Sequence, residues 1–426
     1  MTDFNSLKLT LLAIGALLLF PVKVFAEDMW TLENSVKQVL KVSPQIYASD
    51  AEVAAKKAEL IEAHLWPNPE LGFSANEKLG IEDGAGGSDL TQMAVSQPIP
   101  LIRLPRQTRQ AQAQFRMQQE LMRETLLHQE YQASSRFSEL QFRAAEFELA
   151  KEQLEFAASY RKNDKDSGKI DPLVRYLTPL EEKRLHIVRA TAEQAVVSAE
   201  GEYSEALSNF NALLRLPNGA ESKTAPLEPT LRNETVESLL AFQEKNHPAI
   251  AALKHQEEAA RAGVSIAYAE LFPDPVLTFF REKDIFDDGR QNFYGVTLNF
   301  QVPLWDRKGG AINKARANVE KSKYDLQSLT QELQAKLRES HMHLGHLIEQ
   351  AENYHLEILN PSKEVFELTR KGFASGEVNV LSLVDANNIY LEARMRYLEL
   401  LYEAWLELAE MRSAAGMSMM NDGGKS

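Results

Sequence analysis

The chain contains no cysteine in 426 residues. A disulfide framework, a thiolate metal site, a thiol nucleophile and a lipid on an N-terminal Cys are all excluded, so stability must come from packing and oligomerisation. Long apolar runs are nearly absent too. The only one is Leu9 to Phe20, preceded by Lys8 and followed by Val24-Phe25-Ala26. At about twelve residues it is too short to cross about 30 Å of hydrocarbon, and its flanks predict a secretory signal peptide cut after Ala26. Beyond it no stretch is long and apolar enough for a membrane helix. That leaves open a β-barrel, whose alternating strands are hydropathically faint. Positive charge is in deficit as well: the formal charge of -14 becomes -15 without Lys8, Lys23 and Asp3. This argues against nucleic acid or anionic lipid as the main partner. No nucleophile with a base, phosphate-binding loop or pair of catalytic acids stands in a recognisable setting. The chain is therefore expected not to be an enzyme and to need no cofactor.

What is present is present twice. Leu65 to Phe73 reads LWPNPELGF and Leu271 to Phe279 reads LFPDPVLTF. Downstream, Ile99-Pro100-Leu101 and Val302-Pro303-Leu304 each close an alternating segment. A period of roughly two hundred residues is too long for a solenoid and predicts a duplicated unit with pseudo-symmetry. The implied organisation is a signal peptide 1–26, a first repeat 27–216, a linker 217–235, a second repeat 236–416 and a flexible polar tail 417–426.

In each repeat a helix meets a β-pair, which hands over to a very long helix. After Pro105, up to about Tyr160, there is no Pro or Gly. Leu126, Ala133, Leu140, Phe147 and Leu154 recur every seven residues, with Phe137, Ala144 and Ala158 four further on. This stripe predicts a coiled-coil-like helix on the order of 80 Å long. Val319, Leu326, Leu333, Leu347 and Tyr354 repeat the pattern with Ser340 interrupting, until Pro361 predicts a kink or break. The turns Asp164–Leu173 and Arg370–Leu381 align through Gly168 and Gly376 and through Leu173 and Leu381, and Pro172 suits the start of a return helix. Val384, Leu391, Leu398 and Trp405 place the second return helix against the long helix before it. Ahead of each hairpin, Tyr294, Val296, Leu298 and Phe300 alternate with Gly295, Thr297, Asn299 and Gln301. Leu277 with Phe279, Leu71 with Phe73 and Met93 with Val95 supply the other strands. Four strands cannot close a membrane barrel, for which about eight are needed, and lipid tolerates no open sheet edge. Several chains must contribute to one barrel.

Metal-like clusters are weak. His343 and His346 share a helical face while His341 points away, with His355 nearby, so solvated or lumen-lining histidines are expected rather than a metal site. Met417, Met419 and Met420 have soft-metal chemistry, but a tail with chance methionines is the simpler reading. Glu77, Glu82, Asp83, Asp284, Asp287 and Asp288 decorate the strand-to-strand loops, as a cation-attracting mouth or as ordinary solvated loops. Arg370 and Lys371 beside the second tip suit either a helix C-terminus or a partner contact.

The paired PNPEL and PDPVL motifs, the QPIPL and QVPLW segments and the tip FASGEVNVLSLVDAxxxYLEAR from Phe373 to Arg394 occur in order and in duplicate. Together they resemble the TolC-like outer membrane efflux family over essentially the whole mature chain. The resemblance implies a mainly α fold with a small β part. Three chains would each give four strands to a twelve-stranded barrel and two long antiparallel hairpins to a periplasmic α-barrel. It further implies a homotrimer, outer membrane lipid around the barrel, a periplasmic adaptor at the tips and an inner-membrane resistance-nodulation-division pump. The PNPEL motif is most similar to the heavy-metal branch, the cobalt-zinc-cadmium and copper-silver exporters. Asp385 matches a constriction position of the family. Ser382 stands where a second acid is common in the family, and Val174 and Leu177 stand at the equivalent places in the first copy, so a tight double ring of carboxylates is not expected. The expected function is thus an outer membrane exit duct for heavy-metal cations. A duct for organic drugs or secreted polypeptide, and a soluble periplasmic coiled-coil scaffold, are the rivals. Against the scaffold, Tyr294, Val296, Leu298 and Phe300 have no role on a water-exposed β-pair.

Overall fold

The computed structural model describes residues 29–76, 90–159, 178–217, 219–229, 231, 234–286 and 289–420. Repeat 1 comprises α1 (Leu32–Val42), α2 (Pro44–Glu62), β1 (Glu70–Asn76), β2 (Leu90–Pro98), α3 (Leu104–Ser159) and α4 (Pro179–Leu213). Repeat 2 comprises α5 (Val236–Asn246), α6 (Pro248–Ala269), β3 (Val276–Phe286), β4 (Gly289–Asn299), α7 (Gly309–Tyr354), α8 (Asn360–Ala374) and α9 (Val380–Ala415). The duplication extends to the breaks between short helices. Ser43 before Pro44 and His247 before Pro248 both have ψ 121, because a residue preceding proline is pushed out of the helical region. Pro44 and Pro248 then start α2 and α6, where no backbone N–H is needed.

α3 has 56 residues, which corresponds to about 84 Å. Near the sheet it packs between α2 and α6; towards the tip it packs between α4 and α9. α7 lies on the far side of α6 and then of α9, so the helices form a single layer rather than a closed bundle. Its core falls into three clusters. Val36, Val39, Phe137, Leu140 and Phe210 bind repeat 1 at mid-height; Leu239, Leu337, Leu344, Leu400 and Met411 do so for repeat 2. Leu185, Phe373, Val380, Leu383 and Val384 close the tip.

Several expectations are corrected. Ala158 is exposed and Ala157 buried, because a helix of 3.6 residues per turn drifts off a seven-residue repeat. Ser340 does not interrupt the second stripe: it is buried, and a small residue there lets neighbouring helices approach. Pro361 does not break its helix. A single π-turn, His355–Leu359, precedes it, and the N–H of Asn360 donates to His355 O, so the column runs on into α8. The described part of α4 begins at Pro179 rather than near Pro172. Thr178 and Glu181 form a reciprocal capping box there, and these hydrogen bonds hold the Glu181 carboxyl below its ordinary range. Pro172 itself lies outside the described residues.

The segment between the repeats is pinned in place. Trp30 N–H donates to Lys223 O at 2.8 Å, and Gln141 Nε2 donates to Ala225 O at 2.6 Å. Residues 417–420 are likewise not free. Met419 is buried among Val36, Val39 and Phe137, and Met417 packs on the repeat 2 cluster. Glu130, buried on α3, accepts from Ser418 Oγ at 2.6 Å and from Met419 N–H at 2.8 Å. Hydrogen bonds to a charged acceptor are worth about 1.5–3 kcal/mol each. Met419 is therefore a core residue and Met417 is packed against the core, whereas Met420 is exposed; residues 421–426 lie outside the described part.

The C-terminal clasp depends on Gly416, whose φ of +75 ends α9. A Cβ at Gly416 would lie 2.9 Å from the backbone Cα of His247. His247 is itself buried, and that burial lowers its pKa to about 4. Gly376 also has positive φ, +81, but a Cβ there meets only open space. Gly416→Ala is expected to lower thermal stability in detergent by roughly 1–3 kcal/mol, and Gly376→Ala by about 1 kcal/mol from backbone strain alone. Equal losses would show that contact with His247 is irrelevant.

Candidate functional site: the open sheet and the second hairpin tip

The four strands form one antiparallel sheet in the order β1-β2-β3-β4. Register collects the apolar residues in rows. Leu71 pairs with Val95, Val95 with Phe279 and Phe279 with Val296; Leu277 pairs with Leu298. Phe73, Met93 and Tyr294 share that face, since side chains two apart in a strand point the same way. The face is uncovered: Tyr294 is 77% exposed, Phe73 71% and Leu71 69%. The opposite face carries Ser74, Gln92, Ser96, Thr278, Glu282 and Thr297, and Ser96 Oγ lies 2.9 Å from Thr278 Oγ1. On that side the Phe280 ring covers Gly295, where a Cβ would come within 2.3 Å of it.

The alternation expected for Tyr294, Val296 and Leu298 is thus present within β4. Phe300 lies one residue beyond the strand but is exposed. Large apolar side chains in water cost about 25 cal/mol per Å² of apolar surface, so such a face requires an apolar medium. β1 and β4 each have, among the described residues, one edge without a strand neighbour. Among the described residues, no helix is long and apolar enough to cross a membrane, which says nothing of a barrel.

The proline motifs build the joint beneath the sheet. Pro275 O accepts from Ile99 N–H at 2.9 Å, and Gln97 Nε2 donates to Pro67 O at 2.9 Å. Arg103, just past the first proline exit, donates through Nε and Nη2 to Asp274 Oδ2 at 3.0 and 2.7 Å, tying repeat 1 to the PDPVL motif of repeat 2. Sequence spacing gave no sign of this ion pair, because its partners are 171 positions apart.

At the second tip, Gly376 takes the left-handed conformation and donates to Phe373 O at 3.0 Å, while Glu377 N–H donates to Gly372 O at 2.9 Å. Asn379 then caps α9 by accepting from Ser382 N–H at 2.8 Å. Leu381 is half-buried against the tip cluster, whereas Glu377 is exposed. Asp385 is exposed between buried Val384 and Ala386, so the helix turns it away from the packed side. Arg370 pairs with Glu367 at 2.7 Å. Gly168, Leu173, Val174 and Leu177 of the first tip lie outside the described residues. So do Glu77, Glu82, Asp83, Asp287 and Asp288 of the loops, together with the side chain of Asp284.

The histidines do not converge. His341 Nε2 is 2.7 Å from Glu234 O, His343 Nδ1 is 2.8 Å from Glu407 Oε2, and the His355 ring packs at 5.2 Å from that of Tyr397. Each is committed to a different neighbour.

Comparison with known proteins agrees with this geometry. Residues 242–417 match the family described as outer membrane efflux protein. The cobalt-zinc-cadmium resistance protein CzcC of Cupriavidus metallidurans is 21% identical over 229 residues, 54% of each chain, so the chain aligns with about half the length of that curated relative. Solved structures cover more. CusC superimposes with a TM-score of 0.72 at 16% identity over 93% of this chain and 96% of its own. The open-state MtrE outer membrane channel of Neisseria gonorrhoeae gives 0.71 at 13% over 92% and 91%. VceC of Vibrio cholerae gives 0.70 at 14% over 92% and 97%. The second repeat thus matches the outer membrane efflux protein family, and the fold of the chain, with its duplicated hairpins and four-stranded sheet, is similar to that of these solved outer membrane channels.

Proposed function

We propose that the protein is the outer membrane exit duct of a tripartite efflux pump, a passive trimeric conduit and not an enzyme. The observation that carries this reading is the sheet, apolar along one face, polar along the other and open at both edges, mounted on helices about 80 Å long. One chain supplies four strands; three supply twelve, enough to enclose a polar lumen. The helical hairpins then reach into the periplasm, and their tips around Gly168, Leu173, Gly376 and Leu381 meet the adaptor. Asp385, on the exposed side of α9 near the tip, is the candidate for the constriction. Opening is a rearrangement of the tips on docking, with energy supplied by the inner-membrane pump. The similarity to CzcC supports heavy-metal cations as the substrate class.

Substitution on the two faces tests the membrane reading. Leu298→Arg is expected to hinder outer membrane assembly by roughly 2–4 kcal/mol if the residue lies at mid-bilayer, while Thr297→Arg, facing the lumen, assembles normally. Membrane fractionation after mild heating reads this, and equal assembly of both variants contradicts the orientation.

The tips test the pump reading. Leu381→Asp introduces a charge beside packed Val384, so Glu377→Lys, which alters only an exposed residue, is made alongside. Both are expected to leave trimers at normal levels while abolishing adaptor cross-linking and restoring zinc, cobalt or copper sensitivity in cells dependent on this pump. Persistent cross-linking in both variants means that the second tip is not the docking surface. Unchanged metal sensitivity with increased drug sensitivity would favour an organic-compound duct.

A further inference from the structure

Below the sheet, α3 and α6 run side by side and leave a groove of about 430 Å³ between them. Buried Ala113 and Ala262 form its floor, and Arg109, Arg116, Glu258 and Arg261 stand exposed along its rims. Although the chain as a whole carries a formal charge of -14, this groove is cationic. Its acids are already engaged: Glu258 Oε2 accepts from His255 Nδ1 at 3.0 Å, and Glu257 Oε1 accepts from Arg261 at 2.6 Å. Arg109 and Arg116 have no ion partner among the described residues. Helical side chains lean towards the helix N-terminus, which for α3 is the end at the sheet, so both guanidinium groups reach up towards it. The fold does not require them. Buried Gln118, Ala133 and Leu140 of α3 correspond to buried Ser322, Leu337 and Leu344 of α7, a step of 204 residues, and the same step takes Arg109 and Arg116 to Asn313 and Glu320. The two unpaired cations are thus peculiar to repeat 1.

Above the groove the same surface turns apolar. Ile102, in the turn leading into α3, lies seven residues before Arg109, and Phe272 lies seven after Ser265, which lines the groove on α6. Ile102 is 43% exposed and Phe272 63%, and they border a cleft with Ile99, Pro275 and Phe300. These last three continue, at even spacing, the apolar rows of β2, β3 and β4, so the cleft opens on the face of the sheet that needs an apolar medium. Arg109 lies about 10 Å along the helix from Ile102 before its side chain leans back. The interfacial layer on each side of the hydrocarbon is roughly 5–8 Å thick, which brings that guanidinium to headgroup depth.

We propose that this surface binds an anionic phospholipid of the periplasmic leaflet, its phosphate held at Arg109 and Arg116 and an acyl chain in the cleft at Ile102 and Phe272. This inference rests on the outer membrane reading and assigns one lipid class to one place on the protein. Arginine suits the role because its planar fork donates two hydrogen bonds to a phosphate. Phosphatidylethanolamine brings its own ammonium group to the arginines, whereas phosphatidylglycerol brings only negative charge, so the groove favours the latter. A soluble anion would leave the cleft at Ile102 and Phe272 uncovered.

Lipid titration followed by native mass spectrometry of the mature protein in mild detergent tests the site. Dioleoyl phosphatidylglycerol is expected to bind more tightly than dioleoyl phosphatidylethanolamine, one molecule per chain, and inorganic phosphate is not expected to displace it. Arg109→Gln with Arg116→Gln, both at exposed positions, is expected to weaken phosphatidylglycerol binding roughly tenfold while trimers persist, each single variant losing less. Arg123→Gln, exposed one heptad further from the sheet, is expected to leave binding unchanged. Trimers that hold phosphatidylglycerol equally with and without the two arginines, that do not prefer it over phosphatidylethanolamine, or that release it to inorganic phosphate would overturn the site and leave the duct intact. A monomeric, water-soluble wild-type chain would overturn both.

Discussion

The constraint on which everything else depends is the backbone of β1 and β4. In hydrocarbon no water replaces a missing hydrogen bond, and each unsatisfied N–H or C=O costs several kcal/mol. A sheet of four strands with a continuous apolar face has no stable state alone in either solvent: water penalises the face, lipid penalises the edges. Closure with further copies satisfies both at once. The helical part follows from the same requirement, since any copies joined through the sheet bring their α2, α3, α6 and α7 columns side by side beneath it.

The monomer already contains the contacts that such an assembly repeats. α3 meets α6 across the internal boundary between repeats, just as β2 meets β3, and Arg103 with Asp274 locks the joint. Further down, Arg394 of α9 reaches Glu152 of α3, and Phe142 stacks on Tyr402 at 4.8 Å, so the hairpins are coupled well below the sheet. Exposed ion pairs of this kind contribute little individually, and the shared apolar seam carries most of the coupling. At mid-height the C-terminal residues 417–420 clasp repeat 1 through Glu130 and Met419.

Much of this was legible in the sequence because it follows short periods. Alternation at Tyr294, Val296 and Leu298 identified the strand face, and the stripe through Ala133, Phe137 and Leu140 identified the long helix. Gly376 announced a left-handed turn for reasons local to the turn. What escaped depends on partners remote in sequence. Glu130 reads as one more charge on a solvated helix until Ser418 and Met419 meet it 288 and 289 positions later. Pro361 signals a helix break unless a π-turn absorbs its missing donor, and no simple pattern foretells that. The Ser43-Pro44 and His247-Pro248 steps did carry readable start signals for α2 and α6.

A closed barrel leaves β1 and β4 no free edge. Amide hydrogen exchange on the protein reconstituted in liposomes tests it directly, because edge amides exchange unless a neighbour accepts their hydrogen bonds. Residues 71–75 of β1 and 294–299 of β4 are expected to exchange as slowly as Met93–Ser96 and Leu277–Arg281 of the inner strands. Fast exchange confined to β1 and β4, with β2 and β3 protected, would show an open sheet and contradict it.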